Sequence, residues 1–191
     1  MFARLRPVVQ LLDGQLRDQR MIGLADLLRP FALSIHARAA AVRDLDLTAN
    51  QRARVLESIS DDIKKCTNFV VPRVSIAAMK AAARRKIDLC SKNWHDQAAF
   101  DRGRRVFHLE HLVPVSAIRK VCLEQGSEAG ILEILCTRLQ IVWILKTEDA
   151  KLTKLGYRIR RSEPEAAYRA AGIEIAAQPS IAADRPQAAG G

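Results

Sequence analysis

Aromatic side chains are scarce in this sequence, 5% of the whole, so a core must come mainly from Leu, Ile, Val and Ala. That favours helices and argues against an all-β sandwich. Nine glycines and seven prolines in 191 residues, with 49% hydrophobic and 27% charged residues, exclude collagen-like, mucin-like and wholly disordered chains. No apolar run approaches the ~20 residues that span a bilayer. The first twenty residues mix Asp13 and Asp18 with Arg, unlike a signal or transit peptide, so a soluble, unexported, cytoplasmic protein is expected. Cys66, Cys90, Cys122 and Cys136 lie far apart with no Cys-x-x-Cys pair. Reduced, mostly buried thiols are the default reading, with a zinc knot as the alternative.

What the sequence does have is positive charge. Thirty-one Lys and Arg against twenty-one Asp and Glu give a formal net charge of +10. Clustered cations bind polyanions by releasing condensed counterions, so nucleic acid is the expected partner. Residues 1–105 hold 20 basic and 11 acidic side chains, whereas residues 106–175 hold 10 and 9. The front half carries the field.

The apolar spacing predicts one or two helices over 4–35, punctuated by Gly23 and Pro30, and a helix over about 49–66 capped by Thr48. Pro72 is placed in the first turn of an Ala-rich helix running to about Cys90. Lys80 and Arg84 lie one turn apart on that helix and offer a cationic face for a phosphate backbone, although a plain solvated face is the simpler reading. Residues 105–113 read as a strand entering a turn at Pro114. A helical connection broken at Gly126 and Gly130 follows, and Leu139 to Leu145 is the strongest strand signal in the chain. Thr147 is expected to cap a short helix that opens with Glu148 and Asp149, where acidic residues suit the dipole. Residues from 176 onward are expected to be a disordered tail. The expected organisation is a helical, basic region over 1–100, a second module over 101–175 and the tail over 176–191. The fold class is α+β.

The densest chemistry lies in His108-Leu109-Glu110-His111, followed by Leu112-Val113-Pro114. In an extended strand His108 and Glu110 share one face and His111 takes the other, unless the backbone bends near Pro114. Imidazole and carboxylate together suit one divalent ion such as Mg, Mn, Zn or Ni. Taken singly, the histidine is better read as hydrogen-bonded to a backbone carbonyl and the Glu as a surface ion pair. The run is not His-Glu-x-x-His, because the two histidines are three apart. His95 beside Trp94 could stack on a base, but the reading adopted is a loop anchored by a buried Trp. His36, among small residues, is read as structural or exposed.

From Glu110-His111-Leu112-Val113-Pro114 onward the chain resembles the HNH, or ββα-metal, endonucleases, whose first motif is an acidic residue, a His and a Pro three residues later. Arg138-Leu139-Gln140 stands where that family has Asn-Leu-Gln, and Thr147-Glu148-Asp149 stands where its final helix supplies the last metal ligand. The resemblance covers about residues 105–175. It implies that Glu110 and Asp149 ligate one divalent cation and that His111 is the general base acting on water. His108 is a further ligand or a support for one, and Arg158, Arg160 and Arg161 hold the nucleic-acid backbone. Two positions depart from the pattern: Arg138 replaces the Asn that orients the base, leaving Gln140 or His108 to substitute or the site degenerate, and Asp149 replaces the terminal His or Asn, a mild change for a hard cation. The expected activity is phosphodiester hydrolysis by a metal-dependent endonuclease. A non-catalytic basic nucleic-acid binder is the alternative, and a protein that meets an acidic protein partner is the third reading.

Overall fold

The computed structural model describes residues 22–158, 161 and 163–177. The first part of the helical stretch expected over 4–35, Arg160 and most of the expected tail lie outside them. The first helix, α1 (Leu24–Asp44), starts at Gly23, whose N–H donates to the Asp26 carboxylate at 3.0 Å. Pro30 falls inside α1 and does not end it. The stripe Leu28, Ala32, Ile35, Ala39 and Val42 buries one face over the whole length. Tertiary burial of that stripe outweighs the one backbone bond that an exposed proline removes. The apolar pattern therefore persists beyond Ala39, where the sequence shows it fading.

Thr48 caps α2 (Ala49–Cys66) as expected, with its hydroxyl accepting from Gln51 N–H and the Gln51 side chain accepting from Thr48 N–H. The segment after Pro72 differs from the sequence reading. It forms a short strand, β1 (Arg73–Val74), and only then a helix, α3 (Ile76–Ala83), whose first turn is capped by Ser75 accepting from Ala78 N–H at 3.0 Å. A proline has no donor to lose just before a strand, and Ser75 supplies the cap that Pro72 lacks. The helix stops well before Cys90, turning at Lys86 with φ +56°.

After the single turn α4 (Gln97–Phe100) comes β2 (Phe107–His111). Two helices follow, α5 (Val115–Leu123) and α6 (Glu128–Arg138), and the chain returns as β3 (Ile141–Leu145). Gly126 sits in the break between the helices, whereas Gly130 is inside α6. The last elements are α7 (Lys146–Lys154) and α8 (Pro164–Ala170). Thr147 lies within α7, one residue past its start, and is not its cap.

The sheet has the order β1-β3-β2. β3 runs parallel to β1 and antiparallel to β2, pairing Phe107 with Leu145 through to His111 with Ile141. Its two faces are covered differently. Val142 and Ile144 pack with Leu112, Leu152, Tyr168 and Ile173, under α7 and α8. Trp143 and Phe107 pack with Val74, Ala78, Ala82 and Leu89, under α3. A separate helical core joins α1 and α2 to α5 and α6 through Leu28, Ile35, Ile63, Ile118, Cys122 and Leu135. The long connection between β2 and β3 is thus the element on which the front helices dock. The described residues form a mixed α+β protein, mostly helical, around one small sheet. Among the described residues no helix is long and apolar enough to cross a membrane.

Candidate metal centre

The β2 ladder stays regular through His111, so side chains alternate to its end. His108 and Glu110 project toward α7, while Leu109 and His111 line a cavity on the other side. The bend that would have swung His111 beside Glu110 does not occur. The imidazole that meets the two carboxylates is His108: one ligand atom each from His108, Glu110 and Asp149 lie within 4.8 Å of one another. His108 Nε2 is 3.0 Å from Glu110 Oε2 and 3.9 Å from Asp149 Oδ1.

Each side chain is placed by its element. Asp149 stands in the first turn of α7, where the helix dipole favours an anion. The start of α7 is fixed by Glu148, a buried carboxylate that accepts from Leu145 N–H at 2.8 Å and from the Ser75 hydroxyl at 2.7 Å. Glu110 is held by Arg161, whose side chain is 1% exposed and forms an ion pair with the Glu110 carboxylate. The same guanidinium donates to the carbonyls of His111 and Arg158 and to the Tyr168 hydroxyl, each at 3.2 Å. Burial alone would push the Glu110 carboxyl up. Hydrogen bonds from His108 and Arg161, with the Arg161 charge, outweigh burial and hold it below the ordinary carboxylate value. The exposed Lys146 ammonium approaches His108 Nδ1 at 3.4 Å and forms one rim of the cluster.

His111 has a different environment. Burial disfavours its charged form, and although Glu110 opposes this, the pKa is lowered, with Lys64 and Arg161 adding to the effect. Its Nε2 is buried and has no hydrogen-bond partner among the described residues. Gln140 does not orient the ring: its side chain donates to the Thr137 carbonyl and accepts from Arg73. Arg138 is exposed at the end of α6.

The residues expected to hold nucleic acid are dispersed. Arg161 is buried beneath Glu110 and is unavailable to a phosphate backbone: both of its terminal nitrogens donate inside the protein, and its Nε is buried. Lys80 on α3 and Arg84 just past its end are exposed, across the sheet from the cluster. Arg158 is exposed beside Arg161, and Arg160 lies outside the described residues. Trp94, expected to be a buried anchor, is 47% exposed; the buried tryptophan is Trp143, whose indole N–H donates to the Lys92 carbonyl and ties that loop to β3. Sequence reasoning missed Lys146 and the Ser75–Glu148 pair. The first could have been found from its place between the strand and the acidic turn. The second joins residues far apart in the chain and left no local signal.

Comparison with protein-family models, with curated proteins and with solved structures found no match to this chain.

Proposed function

We propose that the chain is a metal-dependent endonuclease of the HNH-like, ββα-metal kind, hydrolysing phosphodiester bonds of nucleic acid, with DNA the favoured substrate. The observation that carries this reading is the convergence of His108, Glu110 and Asp149 where two antiparallel strands meet the helix that follows them. The donor set fits a divalent ion: one imidazole and two carboxylates, all partly buried, with Lys146 beside His108. Such an ion, when bound, stabilises negative charge on a phosphate oxygen and lowers the pKa of water.

The chain's own residues divide the remaining work. Arg161 fixes the Glu110 carboxylate in place and keeps it ionised. Glu148 sets the start of α7 and with it the position of Asp149. Lys146, exposed at the rim, is placed to take a phosphate oxygen by a charge-assisted hydrogen bond. His111, the general base that the resemblance implies, has its ring on the opposite face, so the reading rests on the ion-holding group and not on His111.

The test is incubation with plasmid DNA and Mg, Mn, Zn or Ni, with and without chelator. Nicking that needs metal and disappears in Glu110→Ala and Asp149→Ala is expected; nicking that persists in both variants overturns the site. The alternative, a non-catalytic nucleic-acid binder with a degenerate site, draws on one observation: His108 and Glu110 are already satisfied by their own hydrogen bond. That reading predicts binding that weakens steeply with salt and no cleavage with any of the four metals.

A further inference from the structure

Across the sheet from the metal cluster, a cavity of about 360 Å³ opens between the C-terminal end of α2 and the loop carrying Trp94, with Lys64, Lys65, Asn68, Trp94, His95 and His111 on its walls. Clefts that take small ligands begin at about 300 Å³. Its most conspicuous member is Trp94, a large aromatic left 47% exposed in a chain that has only two tryptophans. Arg104, which does not line the cavity, stacks on this indole with its guanidinium carbon 3.4 Å from the ring centroid. One face is therefore covered by a cation and the ring still borders the cavity.

The presentation of the ring is built in. Asn93 Oδ1 accepts from the N–H groups of His95 and Asp96, at 2.8 and 3.2 Å, and the Asp96 carboxylate accepts from Asn93 N–H at 2.9 Å. Arg104 itself stands at φ +52°, directly after Gly103 at φ +72°. A left-handed arginine is strained, and such strain persists where the surroundings hold it for use. Across the cavity from Trp94, Lys64 and Lys65 are exposed and, among the described residues, pair with Asp61 and Asp62 of their own helix; the exposed Lys64–Asp61 pair yields readily to a stronger anion, and Lys65 stands 3.8 Å from Asp62.

We propose that this cleft binds one unpaired nucleotide of a single strand, with the base stacked on Trp94 and its phosphate against Lys64 and Lys65. An aromatic platform beside cations is how proteins hold single strands, since every base offers a π-face and every linkage a charge. A duplex keeps its bases stacked inside and cannot offer one without paying to unstack it. The proposal extends beyond the nuclease reading and does not depend on a metal.

The experiment titrates the full-length protein with an eight-residue oligothymidylate, in chelator, following tryptophan fluorescence and the anisotropy of a labelled strand. Saturable quenching is expected. Trp94→Ala should weaken binding about tenfold or more, and Trp94→Phe, which keeps a ring, much less. Lys64→Glu with Lys65→Glu should weaken it further and flatten the salt dependence. Equal affinity in wild type and Trp94→Ala, or equal affinity for a blunt duplex of the same length, overturns the proposal. Wild-type protein that binds the strand through Trp94 but nicks no DNA with any of the four metals counts against the nuclease reading alone, and metal-dependent nicking without Trp94-dependent binding counts against this proposal alone.

Discussion

The hydroxyl of Ser75 donates to the buried carboxylate of Glu148 at 2.7 Å, and the same hydroxyl oxygen accepts from Ala78 N–H. This one side chain closes the start of α3 and, through Glu148, the start of α7. Ser75→Ala removes both bonds and leaves the buried Glu148 Oε2 with Leu145 N–H alone, with an expected loss of about 2–4 kcal/mol. Urea unfolding measures it. If Asp149 depends on this brace, Ser75→Ala also weakens binding of Mn²⁺ by calorimetry; an unchanged midpoint and unchanged affinity would remove the brace from the account.

The two histidines of the β2 run should separate cleanly. His108 lies with Glu110 and Asp149, and His111 lines the cavity behind the sheet. His108→Ala is expected to lower divalent-ion affinity by about tenfold or more, whereas His111→Ala leaves it within a few fold. Isothermal titration with Mn²⁺ decides, and the reverse order would show that the His111 ring belongs to the ion site.

Arg161 and Glu110 form a buried pair, and breaking such a pair leaves an uncompensated charge. Arg161→Met is expected to cost about 3–5 kcal/mol, and adding Glu110→Gln should recover part of that loss. A double-mutant cycle on unfolding free energies reads the coupling; strict additivity of the two changes would contradict it.

Asp101 gives a pH signature. Burial raises the pKa of its carboxyl, but acceptance from the backbone N–H groups of Phe107, Val106 and Arg105 and from Gln97 outweighs this and holds it below the ordinary Asp value. The folded state therefore releases this proton more easily than the unfolded one. The stabilisation is complete above the ordinary Asp pKa of about 3.9 and is lost as pH falls through the folded value. Asp101→Asn should unfold at lower urea than wild type at pH 7, with the gap closing below about pH 4. A gap that is constant with pH would mean that the charge contributes nothing.

The thiols predict the opposite slope. Burial, helped by Asp62, pushes Cys66 up to about 12, and burial pushes Cys122 up to about 11. Both stay protonated in the folded protein while the unfolded chain ionises, so stability declines as pH rises beyond about 9. In native protein at pH 8, iodoacetamide should modify exposed Cys90 first and leave Cys66 and Cys122 untouched until denaturant is added, as read by mass spectrometry.

Local chemistry was readable where it was self-contained. The Thr48 capping box, the apolar run of β3 and the placing of His108 and Glu110 on one strand face follow from spacing alone. What escaped was decided by partners distant in sequence. Pro30 reads as a break until the stripe from Leu28 to Val42 is seen to be buried against other helices. Arg161 reads as a surface cation because nothing near it announces Glu110, 51 positions away. Trp94 reads as core because aromatics usually are, and only the burial of Trp143 beneath the same loop frees it for the surface.

The placement of α5 and α6 between β2 and β3 has a practical corollary. A contiguous peptide running from β2 through α7 would carry the greasy sides of Ile118, Cys122, Ile131 and Leu135 on α5 and α6 without the helices α1 and α2 that cover them. Excision of a minimal fragment around the His108 cluster should therefore yield an aggregating product, and any truncation series must retain α1 and α2 to keep α5 and α6 covered.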